Sequence, residues 1–216
     1  MPRTARVVNP GWPHHVVVRG NNRRRICSYP SDYRRLTELV EDASRRERCF
    51  VHALCLMSNH AHIIVTPPTN LGLSSFVRRF AQPFAQRRNR QRDGSGKLFE
   101  QRFFSQCIGS DEQLAICTAY VELNPVRAGL TADPGEYLWS TYRLHARDSR
   151  PSMIRSRLLT PSPWYLALGA DDEARSRAYR EFVAAVDAAE RRPDDAPPDL
   201  AKSTRRLERP DRTRAA

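Results

Sequence analysis

The stretch from Cys49 to Pro67, CFVHALCLMSNHAHIIVTP, constrains the fold more than any other part of the chain. Two apolar, β-branched runs, CFVHALCLM and AHIIVTP, are separated by the polar break Ser58-Asn59. That is the pattern of a hairpin or of two adjoining antiparallel strands. His60 and His62 fall at the start of the second run, and strand alternation puts both on one side, with Ala61, Ile63 and Val65 on the other.

The flanking segments supply the remaining elements. HHVVVR, residues 14 to 19, reads as a first strand and GNNRRR as a basic turn after it. YPSDYRRLTELVEDASRRER predicts a helix capped by Ser31 or Asp32, with Tyr33, Leu36, Leu39, Val40 and Ala43 at helical spacing. After the paired strands, LSSFVRRFAQPFAQRRNRQR predicts an amphipathic helix with Phe76, Phe80 and Phe84 on one stripe and a kink or break at Pro83. DGSGK is a turn and LFEQRFFSQCIG a fourth strand candidate. SDEQLAICTAYVELNP predicts a helix with a Ser110/Gln113 capping box, limited near Asn124 by Pro125. The order β-α-β-β-α-β plus a helix is the ferredoxin-like, α+β pattern: an antiparallel sheet covered on one face by helices. This domain is expected over residues 1–147. One or two further helices are expected in an extension over 148–190, and a disordered, Pro-rich charged tail over 191–216.

Composition narrows the partners. Lys plus Arg exceed Asp plus Glu by 36 to 24, a net charge of +12, which suits nucleic acid or an anionic membrane surface. Five cysteines without a CxxC pair support neither a disulfide framework nor a zinc knuckle, and a reducing, cytoplasmic compartment fits best. MPRTARVVNPGW lacks the apolar region of a signal peptide, and no run approaches the length of a membrane helix.

Two imidazoles spaced by two on a strand form a natural clamp for one metal ion. An isolated HxH is equally well a polar patch at a strand edge. His14, His15, His52 and His145 have no such spaced partner. Tyr120 and Asn124 stand at i and i+4 on the last predicted helix, so they share a face, and an Asn carbonyl oxygen can ligate a metal. A divalent ion there would polarise a phosphodiester while a tyrosine oxygen attacks phosphorus. By spacing alone Tyr120 reads first as an amphipathic packing residue.

The motifs LMSNHAHIIV, GKLFEQRF and AYVELNPVRAGL, preceded by HHVVVRGNNRR and followed by YLWSTY, resemble the HUH single-tyrosine transposases, and within them the REP-associated tyrosine transposase branch. The resemblance spans roughly residues 7 to 147. It implies that His60, His62 and Asn124 bind a divalent metal, magnesium or manganese, and that Tyr120 is the nucleophile. The implied reaction is transesterification on single-stranded DNA through a 5'-phosphotyrosine link, near a palindromic repeat folded as a hairpin. The bulky hydrophobic residue between the family's two histidines is here Ala61. The C-terminal extension favours a monomer over a homodimer.

For DNA contacts, clustered basic residues point to Arg19, Arg23 and Arg24 after the first strand and to Arg78, Arg79, Arg87, Arg88 and Lys97 on and after the second helix. Arg102 is a further candidate, though Glu100 offers it an ion-pair partner. Asn21 and Asn22 suit base edges. Phe99 and Phe103 suit either base stacking or the core. Two other functions fit the same residues: a non-catalytic DNA- or RNA-binding regulator that keeps the fold, and a hydrolase using activated water.

Overall fold

The computed structural model describes residues 7–191 with the exception of 101. The β-branched runs form β1 (His14–Arg19), β2 (Phe50–Leu56) and β3 (His60–Thr66), and a shorter β4 follows at Phe104–Cys107. Their order in the sheet is β2-β3-β1-β4, with β3 and β4 antiparallel to β1. This is the ferredoxin-like order expected of β-α-β-β-α-β. The fourth strand uses only the end of its candidate segment, because Phe99 makes just an isolated bridge to Gly20.

Helices α1 (Pro30–Glu47) and α2 (Gly72–Gln91) pack on each other. Leu36, Leu39, Val40 and Ala43 of α1 are buried, as are Phe76, Phe80 and Phe84 of α2. Asp32 caps α1 from its third position, Oδ2 accepting the Ser28 and Tyr29 N–H groups at 2.9 and 3.1 Å. Pro83 does not split α2, which runs unbroken to Gln91. Arg88, expected among the DNA contacts, is instead withdrawn from the surface. Arg88 is only 3% exposed, its guanidinium joined to Asp32 at 2.9 Å and to Ser28 Oγ at 3.1 Å. The reason is helical phase: Arg88 continues the i, i+4 line of Phe76, Phe80 and Phe84 into the interior.

The chain divides into two compact units. The first comprises residues up to 51 and 56–108; the second comprises 52–55 and the chain from 109 onward. In the second lie α3 (Asp111–Arg127), α4 (Tyr142–His145), α5 (Pro163–Ala167) and α6 (Asp172–Arg191). Its apolar core joins Ala119 and Leu123 to Tyr142, Ala146, Tyr165, Tyr179, Val183 and Val186. The expected disordered tail lies outside the described residues, apart from Arg191 at the end of α6.

Two local expectations for α3 change. Ser110 Oγ does accept the Gln113 N–H at 3.2 Å, but Gln113 Oε1 reaches the Gly109 N–H at 3.0 Å rather than closing a reciprocal box. The helix also continues through Pro125 to Arg127. Proline removes the N–H that would meet the Val121 carbonyl, and Asn124 Nδ2 substitutes for it at 3.3 Å. No helix among the described residues is long and apolar enough to cross a membrane.

Candidate active-site residues

Register decides which side chains meet. Antiparallel pairing sets Arg19 opposite His60, Val17 opposite His62 and His15 opposite Ile64. Directly paired residues share a face, so His15, Arg19, His60 and His62 project together while Ala61, Ile63 and Val65 point the other way. All three of the latter are buried.

The His60 and His62 rings lie edge to face, their centroids 4.8 Å apart. His60 Nδ1 donates to Asn59 Oδ1 at 2.6 Å, which fixes the tautomer that carries its lone pair on Nε2. His62 Nδ1 shares a 2.9 Å hydrogen bond with His15 Nε2, and those two rings stack at 5.1 Å. Phe104 meets His15 edge-on at 6.2 Å. Burial lowers the His15 pKa to about 4. Burial, with repulsion from Arg19, lowers that of His60 to about 4 as well. Both are therefore neutral near pH 7, the state in which imidazole offers a lone pair to a cation.

His15 is the residue that sequence reasoning set aside, since adjacency to His14 gave it no partner. The signal that finds it is the register: with Val17 opposite His62, residue 15 becomes its diagonal neighbour. Neutral His15 and His60, with His62 between them on the same face, fit the nitrogen-donor part of a divalent-metal site. Among the described residues no group of three His, Cys, Asp or Glu side chains is gathered to hold a metal ion. A complete set would need a donor of another kind, such as an amide oxygen.

The basic turn is built beside these histidines. Gly20 donates its N–H to the Asn59 carbonyl at 2.8 Å, and Asn21 donates to Leu98 at 2.9 Å. A Cβ on Gly20 would stand 2.1 Å from the Arg24 carbonyl oxygen, so only glycine fits there. Asn22 and Arg23 then turn with positive φ of 54° and 57°. Asn22, Arg23, Arg24, Arg78, Arg79, Lys97 and Arg102 are exposed, whereas Arg19, Asn21 and Arg87 are half-buried. Arg79 is paired with Glu47 at 2.5 Å. Phe99 approaches the buried Phe84 ring at 6.2 Å, which accounts for it as a packing residue.

Tyr120 and Asn124 belong to the second unit, half-buried along one stripe of α3 with Arg127. Arg127 holds its guanidinium 4.4 Å from the centre of the Tyr120 ring, a cation–π arrangement. Asn124 Nδ2 donates to the Tyr120 carbonyl at 2.8 Å, which turns the amide oxygen away from the helix backbone.

A family model described as "Transposase IS200 like" matches residues 11–124, more than half of the chain. The chain belongs to the IS200-like transposase family. Among solved structures it is similar to a REP-associated tyrosine transposase bound to a REP hairpin, with a TM-score of 0.58 and 18% identity over 76% of this chain and 96% of that one. That likeness carries the fold. A candidate transposase from Deinococcus radiodurans R1 is matched with a TM-score of 0.38 and 15% identity, over 54% of this chain and 92% of that one. No curated protein matches at the level of sequence.

Proposed function

We propose that this chain is a metal-dependent endonuclease and strand transferase for single-stranded DNA next to a hairpin, with Tyr120 as its nucleophile. The observation that carries the reading is His60 and His62 side by side on one face of β3, their rings 4.8 Å apart and His60 held neutral, in a chain of the IS200-like transposase family. His60, His62 and the amide oxygen of Asn124 would hold Mg2+ or Mn2+. The ion would supply Lewis-acid stabilisation of charge developing on the scissile phosphate.

The remaining chemistry belongs to the chain. The Tyr120 oxygen, having given up its proton, forms a bond to phosphorus as the bond from phosphorus to the 3' oxygen breaks. The departing oxygen takes up a proton and leaves as a 3'-hydroxyl, and a 5'-phosphotyrosine link remains. A second 3'-hydroxyl reverses these steps on a new strand without ATP, because one phosphodiester replaces another. Arg127, against the Tyr120 ring, orients the phenol. Arg19, Arg23, Arg24, Arg78, Arg79, Arg87, Lys97 and Arg102 neutralise phosphates, and Asn21 and Asn22 meet base edges. Arg88 has no part in this surface, because it is buried. Packing of α3 on Tyr142, Tyr165 and Tyr179 of its own chain favours a monomer, which light scattering with and without DNA tests.

The direct test incubates the protein with a single-stranded hairpin oligonucleotide and Mg2+ or Mn2+. A covalent protein–DNA adduct that Tyr120→Phe cannot form is the expected result. Cleavage without an adduct would instead mean hydrolysis by water, and binding alone would mean a regulator.

A further inference from the structure

Glu122 is fully buried on α3, two residues after Tyr120 and two before Asn124. At about 100° per residue, Glu122 stands almost opposite the stripe that Tyr120 and Asn124 share. Three side chains downstream in the chain converge on its carboxylate. Thr141 Oγ1 donates to Oε1 at 2.6 Å, His145 Nδ1 donates to Oε1 at 2.8 Å, and the Tyr179 hydroxyl donates to Oε2 at 2.5 Å. Each donor is itself fixed. The Thr141 hydroxyl accepts the Leu54 N–H at 2.9 Å, the His145 carbonyl accepts the Tyr165 hydroxyl at 2.7 Å, and the His145 ring lies 4.9 Å from the rings of both Tyr165 and Tyr179.

A buried carboxylate satisfied from three directions resists rotation of the helix that carries it, since any turn of α3 would break charge-assisted bonds in a dry core. Apolar packing at Ala119 and Leu123 flanks the carboxylate but slides more readily than directional hydrogen bonds. We infer that Glu122 is a positioning residue: through Thr141, His145 and Tyr179 the C-terminal segment fixes the rotation of α3, and so sets the aim of Tyr120 toward the DNA phosphate and of the Asn124 amide oxygen in its proposed role. This rests on the proposed role of Tyr120, and it assigns a task in the reaction to residues 141–179.

The test uses the full chain with Tyr179→Phe, which removes one donor and keeps the ring, and Glu122→Gln, which replaces one acceptor by a donor. Rates of adduct formation are measured at saturating hairpin oligonucleotide and Mn2+, below the unfolding transition of every variant. Expected is a tenfold or greater fall in the rate for both, with the Kd for the oligonucleotide within twofold of wild type. The double variant should be no slower than the slower single one. Val186→Ala, which thins the same core without touching the carboxylate, should lower Tm yet leave the rate within twofold. In parallel, the Tyr120 ring resonance in ring-labelled protein, assigned by its loss in Tyr120→Phe, should shift or broaden in Tyr179→Phe.

An unchanged rate and an unchanged Tyr120 resonance in Tyr179→Phe overturn the inference, as does a Kd that weakens in step with the rate. If Glu122→Gln fails to fold, Tyr179→Phe decides alone. If wild-type protein forms no adduct, the proposed chemistry falls, and the Tyr120 resonance by itself decides whether the carboxylate positions that ring.

Discussion

The histidine face of the sheet and the buried face of α3 both enclose polar side chains, and they differ in how the protein satisfies them. Glu122 receives three donors from its own chain, so its charge is answered inside the fold. On the sheet, His15 shares a hydrogen bond with His62 and His60 donates to Asn59, which leaves the His60 Nε2 lone pair on the side away from the Asn59 bond. A closed set of partners marks a group that holds structure. Under the proposed function, His60 and His62 are groups that answer to a cation instead.

The contrast predicts different losses. Tyr120→Phe should abolish the adduct, a fall on the order of 10³-fold or more, with hairpin affinity unchanged in a binding titration. A residual adduct would move the nucleophile elsewhere. Arg88→Ala leaves the Asp32 charge buried without its partner and should cost about 3–5 kcal/mol in denaturant unfolding. A weaker DNA affinity with unchanged stability would return Arg88 to the DNA surface. His15→Gln should weaken Mn2+ binding by roughly 10–100-fold in calorimetry while Tm changes little, the signature of a residue that orients a ligand. If Tm collapses and metal affinity holds, the histidine cluster is structural, like Glu122.

Two smaller effects sharpen the same distinction. The pKa values of His15 and His60 are depressed from 6.5 to about 4, so folding favours their neutral forms. The associated stability is complete above pH 6.5 and is lost as pH falls toward about 4, because the unfolded chain takes up protons that the folded one refuses. Urea unfolding at a series of pH values should show that decline, with metal binding surviving below pH 6. Arg78→Ala should reduce the slope of log affinity against log salt by about 1 and leave the cleavage rate at saturating DNA unaltered.

Much of the fold was legible because its signals are local. Alternation marked β1, β2 and β3, and helical spacing marked Leu36, Leu39, Val40 and Ala43 as buried, together with the three phenylalanines of α2. Errors arose where a local rule met a tertiary partner. Pro125 looked like a helix end, yet Asn124 supplies the donor that proline lacks and α3 continues. Arg88 looked like one more cation in a basic run, although its helical phase carries it to Asp32. His15 looked isolated because its partner is 47 residues away and is found only through strand register.

The sequence alone determined the order of elements, the HxH spacing on one strand, the i, i+4 placement of Tyr120 and Asn124, and the family those motifs resemble. Periodicity and spacing are properties of neighbouring residues, so they survive in one dimension. Only the tertiary structure decided that His15 completes a three-histidine face, that Arg88 is withdrawn from the surface, and that Glu122 is gripped by residues up to 57 positions away. Those outcomes depend on register, helix rotation and the burial of charge. Each is settled when distant segments meet and exclude water.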